Sequence, residues 1–126
     1  MANAAELADW ARYEGFDDLR PEVWHVTVIG ADGGKPNLRL DACSLTLEPD
    51  LDREVIRMGG LLVLTVRSHD LLARHARHRR AGGWWDFTSY RPHVSFTLDD
   101  GRRLERIRPF AGPLILGPEV IDRGFA

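Results

Sequence analysis

Polar and apolar residues alternate with a period of two in two places, and in both the polar register opens with histidine. In Trp24-His25-Val26-Thr27-Val28-Ile29, an extended chain puts Val26 and Val28 on one face and His25 and Thr27 on the other. In His93-Val94-Ser95-Phe96-Thr97-Leu98 the same rule sets His93, Ser95 and Thr97 against Val94, Phe96 and Leu98. Both segments read as strands. Residues 61–66, Leu-Leu-Val-Leu-Thr-Val, form an unbroken, branched apolar run of the kind that fills a buried strand. Residues 38–47 have strand character, with Leu45 and Leu47 in period two, and 114–116 make a last strand ending at Gly117-Pro118. Residues 104–107 are expected to pair back after the turn Asp99-Asp100-Gly101, while 50–58 is too short and mixed to assign.

Helical spacing appears twice. Asn3 is placed to cap a helix through Tyr13, with Leu7, Trp10 and Ala11 on one side and Gly15 as a stop. Ser68, with Asp70 behind it, opens a second helix whose packed side is read as Leu71, Leu72 and Ala76. Arg77, Arg79 and Arg80 occupy its last turn, where cations suit the helix dipole, and Gly82-Gly83 ends it. Turns are expected at Gly33-Gly34 with Pro36, and at Gly59-Gly60. Short strands with few helices indicate an α+β fold, and 126 residues make one domain, 1–126, rather than two.

Composition narrows the class without naming a function. Hydrophobic residues are 44% and charged residues 29% of the chain, an ordinary globular balance. A formal charge of −2 offers no global attraction to nucleic acid, and no stable duplex partner is expected. The charges are uneven, with acid at Glu14, Asp17, Asp18 and Glu22 and base at 74–80 and 102–108. One cysteine, Cys43, permits neither an internal disulfide nor a cysteine zinc cluster, which suits a reducing cytoplasm. The first residues lack a basic stretch followed by an apolar one, and no run is long enough to span a bilayer, so neither export nor a membrane partner is expected.

The chemistry sits on the two histidine segments. A histidine and a hydroxyl on one strand face, about 7 Å apart, offer a proton carrier beside a hydrogen bond for phosphate. Two such pairs facing a cleft make a reaction site. His75 and His78 lie three apart, with His69 nearby, but no acidic pair completes a metal site, and they read as part of a solvated basic face. The arginines at 74, 77, 79 and 80 read as surface charge or as an attraction for a polyanion. Trp84, Trp85 and Tyr90, just before the second histidine segment, are either loop anchors or surfaces on which a base stacks. No phosphate-cradling glycine spacing and no nucleophile elbow occur. What remains is acid-base work by two imidazoles, with no metal and no cofactor.

Two His-x-Thr/Ser motifs in a small α+β chain resemble the two-histidine (2H) phosphoesterase superfamily. The closer likeness is to its short phage-encoded branch, the anti-CBASS nucleases that degrade cyclic oligonucleotide signals. It rests on Trp24-His25-Val26-Thr27-Val28, on Arg74-His75, on Trp85-Asp86-Phe87, on Tyr90-Arg91-Pro92-His93-Val94-Ser95 and on the segment 109–119. The likeness spans about residues 21–122 and leaves out the helix before them. It implies a bilobed, pseudo-twofold arrangement of antiparallel sheets around a cleft. It further implies His25 and His93 as catalytic, Thr27 and Ser95 as phosphate binders, and Glu119 as a substrate contact, with Trp84, Trp85, Tyr90 and Arg91 binding the rest of the substrate. Ser95 departs from the commoner threonine, losing a methyl but keeping the hydroxyl.

The expected function is therefore a phosphodiesterase cleaving 3′-5′ bonds of cyclic di- or trinucleotides in a bacterial host's cytoplasm. An RNA 2′,3′-cyclic phosphodiesterase, or a binding module without turnover, are the competing readings, and the residues leave oligomeric state open. A reaction that needs one neutral and one protonated imidazole, each titrating near pH 6.5 when unperturbed, gives a bell-shaped rate profile around neutrality. Rates measured from about pH 5 to 9 check this, and a flat profile counts against the histidine pair.

Overall fold

The structure, a computed structural model, describes residues 1–21, 23–30, 39–85 and 89–121. In chain order its elements are α1 (Ala4–Tyr13), β1 (Leu45–Leu47), β2 (Val55–Met58), β3 (Leu61–Thr65), α2 (His69–Arg80), β4 (His93–Leu98) and β5 (Leu114–Leu116). The expected turn at Gly33-Gly34, the start of the 38–47 strand, and Asp86-Phe87 lie outside the described residues.

The apolar run becomes the centre of the larger sheet, with β2 and β4 antiparallel on its two sides. Gly59 and Gly60, at φ +58° and +81°, close the two-residue hairpin between β2 and β3, a conformation that L side chains adopt at a cost. β1 and β5 pair antiparallel in a second, two-stranded sheet, Leu45 opposite Leu116 and Leu47 opposite Leu114. The fold is thus α+β with two antiparallel sheets, as expected. One apolar cluster joins them: Leu62, Leu64, Val94 and Phe96 from the larger sheet meet Leu47 and Leu114 from the smaller, Leu7 and Ala11 from α1, and Leu71 from α2. Phe16 and Trp10 both set their edges against Phe96 at 5.1 Å.

Several expectations are corrected. The 24–29 segment alternates in exposure as read, with Trp24 buried and His25 and Thr27 exposed, but it carries no sheet ladder. Its approach to the free edge of β4 begins with Leu19 paired to Thr97 and the Arg20 N–H on the Phe96 carbonyl. Pro21 then has no N–H to continue. In β4 the face rule holds only for the first half. A bulge at Phe96 sets Leu62 opposite Thr97 but Val63 opposite Ser95, so Phe96 and Thr97 are both buried and Leu98 is exposed. Thr97 satisfies its buried hydroxyl by donating to the Asp18 carbonyl at 2.7 Å.

Residues 104–107 form no strand; the Ile107 N–H closes a turn on the Leu104 carbonyl. Only Leu45–Leu47 of the described part of 38–47 is strand, while 55–58, left unassigned, is one. α2 keeps its capping, the Ser68 hydroxyl accepting from the Leu71 N–H at 3.1 Å, but its packed side is Leu71, Arg74 and His78, and Leu72 is exposed. Among the described residues no helix is long and apolar enough to cross a membrane.

Asn3 precedes α1 without capping it through its side chain. It spans to the smaller sheet, its amide donating to the Pro113 carbonyl at 2.7 Å and its carbonyl accepting from the Ile115 N–H at 2.9 Å. Asn3→Ala orphans two backbone groups at a buried position, and urea unfolding should show a loss of about 1–3 kcal/mol. Asn3→Asp, which keeps the acceptor for Ile115, should lose less.

Candidate active site

Leu19 and Gly30 pair antiparallel with Thr97 and Trp84, so the two motif segments are tied to each other at both ends. Beyond the Leu19–Thr97 bridge, Gly30 and Trp84 exchange two backbone hydrogen bonds of 2.9 and 2.8 Å. This approach depends on glycine, because a Cβ on Gly30 would lie 2.6 Å from the Trp84 ring. Between the ends, side chains hold the unladdered stretch. The Tyr90 hydroxyl donates to the Thr27 carbonyl, and the His75 Nδ1–H to the Val28 carbonyl, both at 2.7 Å.

Each motif histidine is braced in the same way. His25 Nδ1 lies 2.9 Å from the Val23 carbonyl, and His93 Nδ1 lies 2.8 Å from the Arg91 carbonyl, in both cases the residue two before. A carbonyl only accepts, so Nδ1 carries the proton in both rings and Nε2 is left for other work. His25 is exposed and His93 half-buried on β4. The hydroxyls of Thr27 and Ser95 engage no partner among the described residues and stay available to a ligand.

The aromatic residues ahead of β4 divide in role. Trp84 is 42% exposed, whereas the half-buried Trp85 stands nearly perpendicular to His75 and Tyr90 and donates its indole N–H to the Ser89 carbonyl at 3.1 Å. Tyr90 stacks on His75, centroids 4.2 Å apart and planes 6° off parallel, so one face of its ring is taken. Burial, helped by the charge of Glu119, pushes its phenol above the ordinary range and keeps it a donor. Arg91 is exposed and borders, with Tyr90, His69, Asp50 and Asp52, a cavity of about 750 Å³.

Glu119 is the hub of a buried polar cluster, its side chain only 9% exposed. Its Oε1 accepts from His78 Nε2 at 2.8 Å and from the Asp41 N–H at 2.7 Å, and its Oε2 lies 4.0 Å from the Arg74 guanidinium. Asp41 returns the contact, its carbonyl accepting the Glu119 N–H and its carboxylate facing Arg77 and Arg74. The basic face expected to be solvated is therefore half wrong: His78 is 2% exposed and Arg74 is 9% exposed, because Asp41 and Glu119 compensate them. Their spacing held the missed signal. Arg74 and His78 follow Leu71 at i+3 and i+7, on the face that turns inward. A cavity of about 370 Å³ opens beside this cluster, lined by Arg39, Asp41, Arg77 and His78.

The three helix histidines do not converge as a metal site would need, since His75 goes to Val28 and His78 to Glu119. No group of three or more ligating side chains that could hold a metal occurs among the described residues.

A family model, that of the anti-CBASS protein Acb1, matches residues 1–123. The chain belongs to the anti-CBASS protein Acb1 family. The match takes in α1, which the sequence resemblance left out. Two curated relatives, each named anti-CBASS protein Acb1, come from Caulobacter sp. (strain RHG1) and Sphingomonas paeninsulae. They are 32% identical over 139 and 135 residues, covering 97% and 95% of this chain. In both cases the aligned part is 21% of the relative, so this Acb1-family chain spans about a fifth of the length of the curated relatives it matches.

Glu119→Ala leaves the buried His78 ring and the Asp41 N–H without their acceptor, and urea unfolding should show a loss of about 2–4 kcal/mol. The Cys43 N–H, aided by Arg77 and Arg74 and opposed by burial, holds the Asp41 carboxyl below its ordinary 3.8. A lowered value stabilises the fold above that pH and ceases to as pH falls through it, so Asp41→Asn should reduce the acid-induced drop in unfolding midpoint below about pH 4.

Proposed function

We propose that this domain is a metal-independent phosphodiesterase of the 2H phosphoesterase superfamily. On this reading it cleaves 3′-5′ bonds of cyclic oligonucleotide messengers in the bacterial cytoplasm and so counters CBASS antiviral immunity. The observation that carries it is the matched bracing of His25 and His93, each proton-bearing at Nδ1 and presenting Nε2, on two segments tied side by side. The printed name of both relatives supports the biological role. The chain is then bilobed, with the two motif segments forming the pseudo-twofold pair along the cleft.

In the reaction, Nε2 of one neutral histidine takes the proton of the attacking oxygen. Nε2–H of the other, protonated histidine gives a proton to the leaving ribose oxygen. Each transfer contributes about 10²- to 10⁴-fold. Thr27 and Ser95 donate to the nonbridging phosphate oxygens, where charge grows in the transition state. When the adjacent 2′-hydroxyl is the attacking group, its oxygen bonds phosphorus as the P–O bond to the ribose breaks, leaving a 2′,3′-cyclic phosphate. On this reading Trp84, which is exposed, stacks on a base and the exposed Arg91 meets phosphate.

The test is incubation in EDTA with 3′-5′ cyclic di- and trinucleotides and with 2′,3′-cyclic mononucleotides, products being read by chromatography. His25→Ala and His93→Ala should each lower kcat by about 10²- to 10⁴-fold with the fold intact, and a 2′-deoxy cyclic dinucleotide should be left uncut. Preference for the 2′,3′-cyclic mononucleotides would move the assignment to RNA end processing. Binding without turnover on any substrate would make the domain a nucleotide-binding module.

A further inference from the structure

We infer that His75 and Tyr90 form a clamp that sets the spacing of the two histidine segments, and that both are positioning residues for the reaction rather than surfaces for the substrate. For its effect on rate this rests on the phosphodiesterase reading; for its effect on the fold of the segment it does not.

The first histidine segment leaves the sheet at Pro21 and, among the described residues, next pairs with a strand-like backbone partner at Gly30, with the Met1 ammonium donating to the Trp24 carbonyl at 3.4 Å between. Between these points its described backbone contacts to the rest of the site are the Thr27 and Val28 carbonyls, two and three residues beyond His25. Thr27 is held by Tyr90, three residues before His93, so a single hydrogen bond connects the two motif segments. Val28 is held by His75, which stands on α2, an element fixed by Leu71 in the core and by the Arg74 and His78 contacts to Asp41 and Glu119. The two clamping rings are themselves stacked, and Trp85 lies nearly perpendicular to both, with centroids at 5.0 and 5.3 Å. Displacing one ring therefore displaces the other. The Tyr90 hydroxyl and one ring face are committed to this work, which leaves the residue a poor platform for a base. His75 is not within the catalytic pair, yet a shift of about 1 Å in His25 relative to His93 is enough to cost about 10²-fold in rate.

Tyr90→Phe keeps the stacked ring and removes only the bond to Thr27, and His75→Gln keeps an amide donor for Val28 while removing the stack. Both are made in the whole chain, with Tyr90→Ala alongside and the fold checked by circular dichroism. Backbone ¹⁵N order parameters of residues 24–29 are measured in the free protein, and kcat and KM on a 3′-5′ cyclic dinucleotide. Tyr90→Phe should lower the order parameters of 24–29 from about 0.85 towards 0.6 while leaving β3 unchanged. It should lower kcat about 10-fold or more with KM within about twofold. His75→Gln should fall between wild type and Tyr90→Ala in both readouts. Unchanged order parameters in Tyr90→Phe overturn the clamp, and a raised KM with kcat kept makes Tyr90 a substrate surface instead. When wild-type protein cleaves no cyclic dinucleotide, the phosphodiesterase reading fails and the order parameters alone decide the clamp.

Discussion

Proline cannot donate a hydrogen bond, and Pro21 stands where the free edge of β4 has just begun to gain a partner. The chain past it is extended and apolar on one side, but its backbone must find donors and acceptors elsewhere. Most of the site follows from how that need is met. Tyr90 and His75 supply donors to Thr27 and Val28, and Gly30 and Trp84 supply the backbone pair that ends the stretch. A regular ladder along β4 would have held His25 by the pleat of a sheet. Side-chain donors instead hold it through residues whose own positions depend on α2.

α2 consequently serves three surfaces at once. Leu71 enters the apolar core, His75 reaches the first histidine segment, and Arg74 with His78 meets the carboxylates of Asp41 and Glu119. Burying the Arg74 guanidinium and the Glu119 carboxylate is costly unless partners compensate them, and the cluster supplies an Asp41 ion pair for Arg74, and His78 and the Asp41 N–H for Glu119 Oε1. This arrangement ties residue 119, near the end of the described chain, to residue 41 and to the helix. Glu119 thereby braces α2, and its charge helps raise the Tyr90 phenol.

A good part of this was legible in the residues. Ser68 as a cap, Gly59-Gly60 as a hairpin, the apolar run of β3 and the α+β class all rest on local chemistry, which neighbours in sequence decide. Family membership was legible too, because the paired histidine motifs and their flanks are short patterns of side chains. Asn3 illustrates the opposite case: its chemistry suits a cap, yet the smaller sheet lies close enough to use both ends of its amide. The bulge at Phe96 is another, since alternation predicts one face per residue until a partner strand removes one from the count.

By itself the sequence determined the two helices and the apolar strand at the centre of the larger sheet, and that His25 and Thr27 share one face and His93 and Ser95 another. Those are consequences of dihedral preference and side-chain period, both properties of a few adjacent residues. Only the tertiary structure decided that Arg74 and His78 turn inward, that Glu119 joins them, and that Tyr90 and His75 stack to hold the first motif. Each depends on a partner dozens of residues away, and a buried charge or an orphaned carbonyl is tolerable only where the fold brings that partner within hydrogen-bond reach.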